Sequence, residues 1–210
     1  MEFLGTFFLS TSIALSSGQD VFLTPDCIGF TLIAVIYTYG HISGAHFNPA
    51  VTVAILMSGR GKIDIASAMG YIISQVAGAF CAASICWIIA DDAGFETGYP
   101  SVADGVSPET AILVEIINTF LLVSVILNVA TTKSQDQNGF YGVAIGLTVT
   151  AGAISAGPIS GGAFNPAVGT ALPGIHGITT NLFVYWCGPI VGAILATGAF
   201  FLYTDPMEFR

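Results

Sequence analysis

The stretch SGAHFNPAVT at residues 43–52 returns almost unchanged as SGGAFNPAVG at residues 160–169. Each copy reads locally as the start of a helix. Asn is a good N-cap because its side-chain oxygen accepts a backbone N–H of the first turn. Pro at the first helical position lacks only an N–H that would go unpaired anyway. The apolar stretch behind Asn48-Pro49-Ala50 covers only 50–57, and the one behind Asn165-Pro166-Ala167 only 167–172. A helix needs about 20 apolar residues to cross a bilayer, so neither stretch can span one. Ser and Gly ahead of each motif permit tight backbone turns. An isolated copy would be an ordinary helix start. Two copies, each behind Ser-Gly, predict a pair of re-entrant half-helices. Irregular backbone at membrane depth is tolerated only where protein or a water-filled cavity satisfies it.

The remainder of the chain implies the membrane. Of 210 residues, 54% are apolar and 8% charged (4 Lys+Arg, 13 Asp+Glu), against roughly 25% charged in a soluble domain. A surface built from this composition would precipitate in water, so the bilayer is the expected solvent. The apolar content excludes disorder, and a net charge of −9 argues against a nucleic-acid partner. Cys27, Cys81, Cys86 and Cys187 lack zinc-ligand spacing and read as buried small hydrophobes, with no disulfide framework implied. Six apolar runs, at 2–17, 22–40, 66–90, 109–130, 140–157 and 181–203, predict an all-α membrane protein with six spanning helices. The first is short, which fits either a helix tilted very little or a chain lacking an N-terminal extension. Arg60, Lys62, Lys133 and Arg210 all fall on one side of this arrangement, which the positive-inside rule makes cytoplasmic together with both termini. The other side collects Asp20, Asp26, Asp91, Asp92, Glu96, Asp104 and Glu109.

The repeat extends beyond the motifs. EFLGTFFLS from Glu2 pairs with EIINTFLLV from Glu115, at an offset of 113 residues, while the Asn-Pro-Ala segments are offset by 117. Each half, 1–108 and 109–210 of a single domain, contains three spans. An odd number turns the second half upside down relative to the first, the plan of many transport proteins, whose function sits at the midplane. The two half-helices then enter from opposite faces and meet end to end. Small residues four apart (Ser74 and Gly78, Gly142 and Gly146, Gly188 and Gly192) read as close helix contacts.

These residues resemble the major intrinsic protein family, the aquaporins and aquaglyceroporins, over essentially the whole chain. The matches are the two Asn-Pro-Ala segments, the two helix-start glutamates with Thr-Phe behind them, and YWCGPIVGA at residues 185–193. The resemblance implies an aquaporin-like fold, a pore in each monomer, a homotetramer, and a passive channel with no cofactor and no metal. It implies that the Asn48 and Asn165 amides face the pore, donating to a passing water or hydroxyl. The half-helix N-termini add positive potential there, disfavouring cations and breaking a proton wire. Carbonyls near Gly44, Ala45 and His46, and near Gly161, Gly162 and Ala163, would supply acceptors. Glu2 and Glu115 would brace the re-entrant loops, and Gln75 would bond to one of them. His41 and His46 have two readings: packing and loop hydrogen bonding, or pore lining with a gating role when protonated.

The selectivity constriction is where the chain departs from the family. Counting from the two Asn residues, the four filter positions map to Ile28, Ala153, Gly162 and Val168. Water-selective relatives typically place an aromatic, a His, a small residue and an Arg there. Val replaces the Arg in some plant tonoplast intrinsic proteins, but Ile28 departs from their His. Gly169 stands where glycerol conductors usually carry Asp, whereas Tyr185-Trp186 resembles water channels. The expectation is a water channel with a wider, apolar filter, leaking small neutral solutes such as glycerol, urea, ammonia or hydrogen peroxide. The alternatives are a mainly glycerol-conducting channel, or a gated or non-conducting structural membrane protein. An enzyme is disfavoured, since no nucleophile–base pair or metal cluster is evident.

Overall fold

The structure, a computed structural model, describes residues 1–19 and 22–205. Asp20 and Arg210, counted above in the charge asymmetry, lie outside the described residues. The chain forms α1 (Glu2–Ser17), α2 (Thr24–Ser43), α3 (Pro49–Met57), α4 (Ile65–Ala93), α5 (Pro108–Thr131), α6 (Tyr141–Ser160), α7 (Pro166–Ile175) and α8 (Val184–Tyr203). There is no strand among the described residues. Helices α4, α5, α6 and α8 are long and apolar enough to cross a membrane on length and composition alone. Helix α1 has only 16 residues, and α2 carries Asp26, His41 and several hydroxyls. Both take spanning places in the bundle because α1 packs along α4 and α2 along α6.

Where the boundaries differ from the sequence expectation, capping explains the shift. Helix α6 was expected to stop before Pro158, but it carries that proline in its last turn and ends at Ser160. There Gly161 takes the left-handed cap conformation (φ 85°), its N–H bonding Gly157 O at 3.1 Å. Helix α2 likewise runs to Ser43 and ends on left-handed Gly44 (φ 83°). Helix α7 continues through Pro173 to Ile175. Helix α8 begins at Val184 rather than at 181, since Asn181 has a left-handed φ of 62° that no helix accommodates.

The order of long and short helices repeats, so that α1 corresponds to α5, α2 to α6, α3 to α7 and α4 to α8. At the crossing of α2 and α6 stand Gly29 and Gly146, which are 117 residues apart in the chain. A methyl on Gly29 would lie 2.8 Å from Gly146 O, and one on Gly146 would lie 2.6 Å from Gly29 O. Gly78 of α4 meets Phe3 O of α1 as Gly188 of α8 meets the Glu115 Cβ of α5. Lipid gives helices no hydrophobic reason to associate, so backbone approach through small residues must supply the contact. Outward faces carry large apolar side chains, such as Phe30, Ile73, Ile88, Leu121 and Ile154, as a lipid-facing surface requires. All four cysteines are free thiols, but only Cys86 is buried; Cys187 is exposed, correcting the expectation that all four are interior. A side chain on an outward helix face is apolar for the lipid's sake, so hydropathy does not separate lipid-facing from interior positions.

Candidate functional site

Each half-helix starts as its sequence dictates. The Asn48 Oδ1 accepts Ala50 N at 2.8 Å, and the Asn165 Oδ1 accepts Ala167 N at 3.0 Å. With the oxygens so engaged, the amide nitrogens must point forward, and they cross over. Asn48 Nδ2 donates to Phe164 O at 2.7 Å, while Asn165 Nδ2 donates to Phe47 O at 2.9 Å. Each amide has two hydrogens, so one per Asn locks the opposite loop and one is left over. Phe47 and Phe164 hold left-handed backbone (φ 50° in both), a conformation that costs a non-glycine residue about 1–2 kcal/mol. The reciprocal bonds, with the burial of both rings, hold it in place. Pro49, Ala50, Pro166 and Ala167 are buried behind this junction.

The loops leading to the junction are fixed from behind by the two glutamates. Glu2 Oε1 accepts the Ser43 hydroxyl at 2.6 Å and His46 N at 3.1 Å, and its Oε2 accepts Phe47 N and Gln75 Nε2, both at 2.7 Å. Glu115 accepts the Ser160 hydroxyl at 2.7 Å, Ala163 N at 3.0 Å and Phe164 N at 2.7 Å. Gln75 Nε2 also donates to Thr52 Oγ1 at 2.9 Å. Because the loop N–H groups turn toward the glutamates, the carbonyls face the other way. Those of Gly44, Ala45, His46, Gly161, Gly162 and Ala163 accept no hydrogen bond from the described residues, and all six residues line a cavity.

That cavity, about 1200 Å³, runs the length of the bundle. Its lining includes Thr24, Pro25 and Tyr99 at the acidic end and Lys62, Lys133 and Gln137 at the basic end, with Asn48 and Asn165 between them. Ile28, Ala153, Gly162 and Val168 all stand on its wall, toward the acidic end. Val168 exposes none of its surface; it is packed with Ala14, Ala83, Cys86 and Leu172. His41 is exposed where the cavity opens at the basic end. His46 combines both readings given above: it lines the cavity while its Nδ1 sits 3.1 Å from Thr52 Oγ1 and its ring lies edge-on to Tyr71. No group of three His, Cys, Asp or Glu side chains that could hold a metal occurs among the described residues.

Several supporting residues were not singled out from sequence. Ser43 and Ser160, read there only as turn residues, bind the glutamates. Their carbonyls accept the hydroxyls of Tyr71 and Tyr185, each at 2.8 Å. The serines were visible as equivalent positions of the repeat. Tyr71 was not named from sequence at all, and Tyr185 only as part of the motif at 185–193; the two come from different turns of α4 and α8, so the repeat does not pair them.

A family model described as major intrinsic protein matches residues 1–201. The chain is 38% identical over 206 residues to glycerol uptake facilitator protein-like 6 of Lactiplantibacillus plantarum, covering 93% of this chain and 92% of that one. It is 35% identical to human aquaporin-4, with 91% of this chain covered but only 59% of the relative's length. Its fold matches the X-ray structure of the aquaglyceroporin from Plasmodium falciparum with a TM-score of 0.81 at 23% identity, over 99% of this chain and 96% of that one. With two inverted Asn-Pro-Ala half-helices meeting on one continuous cavity, the chain belongs to the major intrinsic protein family of multi-pass membrane channels, which are not enzymes.

Proposed function

We propose that the chain is a passive water channel whose relaxed filter also passes small neutral solutes such as glycerol, urea, ammonia or hydrogen peroxide. The observation that carries this is the pair of crossed asparagines on a cavity open toward both ends. A solute there meets two amide N–H groups, two half-helix N-termini and rows of unpaired carbonyls. Donors sit at the centre and acceptors along the approach, so a water in single file is turned over as it passes. The same positive centre repels cations. Ile28, Ala153, Gly162 and Val168 serve as the filter, without an Arg, a His or an aromatic ring among them. Glu2, Glu115 and Gln75 brace the loops. The functional unit is a homotetramer in a lipid bilayer, both termini cytoplasmic, with halves 1–108 and 109–210 forming one channel domain. It uses no cofactor, metal or nucleic acid.

A mainly glycerol-conducting channel is the second reading, favoured by the 38% identity to a glycerol uptake facilitator-like protein. Stopped-flow light scattering on proteoliposomes separates the two. Water flux well above empty vesicles, with slower glycerol or urea re-swelling that Val168→Arg abolishes, is the result expected. Glycerol entry as fast as water favours the second reading. No flux above empty vesicles, or saturable uptake driven by a proton or sodium gradient, overturns both.

A further inference from the structure

The connection between α4 and α5 does not simply loop away from the bundle. Gly98 N donates to Ala14 O near the end of α1 at 2.8 Å, and five residues on, Ala103 N donates to Ile159 O near the end of α6 at 3.0 Å. The segment is therefore a strap pinned at both ends across the acidic mouth of the cavity. Its fit is close: a methyl on Gly98 would lie 2.1 Å from Ser17 Cβ, and one on Gly161 would lie 2.4 Å from Ser101 N. Gly161 adjoins the filter position Gly162, so the strap touches the second re-entrant loop directly.

Tyr99 follows the first pinned residue of this strap. Its ring lies 4.8 Å from the His176 ring, and His176 Nε2 is in turn 2.8 Å from Thr97 Oγ1. Tyr99 packs against the cluster that contains Val168, and it also lines the cavity. Its hydroxyl has no hydrogen-bond partner among the described residues. Val168 itself exposes no surface. We infer that Tyr99 covers Val168 and supplies the cavity wall at that level, making a strap residue a selectivity determinant in place of the missing filter Arg. A neutral ring with a free hydroxyl then narrows the mouth and offers one hydrogen bond to a passing solute, where the four mapped positions offer only apolar side chains or none.

Part of this inference, the effect on selectivity, rests on the channel reading; the covering of Val168 does not. The test therefore has two arms. In detergent micelles, Val168→Cys is exposed to a small methanethiosulfonate reagent and labelling is read site by site by mass spectrometry, with buried Cys86 as the internal marker of folding. Val168→Cys stays unlabelled while Tyr99 is present, stays so with Tyr99→Phe, and becomes labelled with Tyr99→Ala, with Tyr99→Leu between. Equal labelling with and without the ring overturns the inference, whatever the protein transports. In proteoliposomes, Tyr99→Ala raises the ratio of glycerol to water permeability about fivefold, roughly the effect of one lost barrier contact. A ratio within twofold of wild type overturns the selectivity role. Absence of wild-type flux counts against the channel reading alone, since the labelling arm still decides where Tyr99 sits.

Discussion

In the first half of the molecule, Glu2 accepts four hydrogen bonds, the fourth from Gln75; in the second half, Glu115 accepts three, all from its own re-entrant loop. The contrast continues around them. Thr52 ties His46 and Gln75 together in the first half, and its equivalent 117 residues on is Gly169. Tyr185, three residues before Gly188 as Gln75 is three before Gly78, fills the space over Gly169 and donates to Ser160 O. Both halves place a tyrosine hydroxyl on the serine carbonyl, and beyond that one adds a polar network and the other a packed aromatic ring. The same backbone geometry thus has two independent supports, and the geometry is what both halves share.

The largest consequence concerns the glutamates. Gln75 Oε1 is buried without a partner among the described residues. Gln75 Nε2 lies 2.7 Å from Glu2 Oε2, so if Glu2 is truncated we expect the amide to turn this spare oxygen toward the N–H groups Glu2 abandons. In the second half Tyr185 stands where Gln75 stands in the first, and its hydroxyl is committed to Ser160 O. Glu115→Ala should therefore cost about 4 kcal/mol and Glu2→Ala about 2 kcal/mol, from the loss of charge-assisted bonds to buried N–H groups. Unfolding in mixed micelles checks both. Adding Gln75→Leu to Glu2→Ala should bring the two halves to parity; equal costs for the single variants would remove the spare-acceptor explanation.

A smaller effect separates Gly169 from Thr52. A methyl on Gly169 would stand 2.3 Å from Tyr185 Cβ, an atom that no rotamer can move aside. Helices α7 and α8 must part to admit it, so Gly169→Ala should cost about 2–3 kcal/mol and lower water flux. Thr52→Ala removes hydroxyl contacts to His46 and Gln75 without any clash, and should cost about 1 kcal/mol. Thermal melting of the two variants side by side sharpens the contrast. A harmless Gly169→Ala would mean that the aromatic support is loose.

What could be read from sequence followed from repetition. Asn48 and Asn165 stand out because one short pattern occurs twice, and Glu2 and Glu115 because a second pattern repeats from them at an offset of 113 residues. The end of α3 at Met57 follows from where its apolar run stops, whereas α7 runs three residues past its own, to Ile175. Spacing from Asn165 puts Val168 in the first turn of α7, but spacing says nothing about what covers a side chain. That depends on the strap, whose place is set by bonds from Gly98 to Ala14 and from Ala103 to Ile159, far apart in the chain. The exposure of Cys187 was equally hidden, because lipid and protein interior ask for the same residues.

The smallest predicted difference lies at the ends of the helices. Helix α4 is capped by Asp64, whose carboxylate accepts Ser67 N at 2.8 Å and the Ser67 hydroxyl at 3.0 Å. Its counterpart α8 has Phe183 at the N-cap position and no side-chain cap. The Ser67 backbone bond, then its hydroxyl, hold the Asp64 pKa below the ordinary Asp value. A carboxyl whose pKa is lower in the folded state contributes stability above its unfolded pKa and loses it as pH falls through the folded one. Protection of the Ser67 amide against hydrogen exchange should therefore persist from neutrality down to about pH 4 and fade below it. Asp64→Asn keeps a good N-cap without a titrating group, so it should retain the protection and abolish its pH dependence. The first turn of α8 should show no such acid transition. If Ser67 loses protection at the same pH in Asp64→Asn as in wild type, the fraying is global and Asp64 is only one of many carboxylates titrating with it.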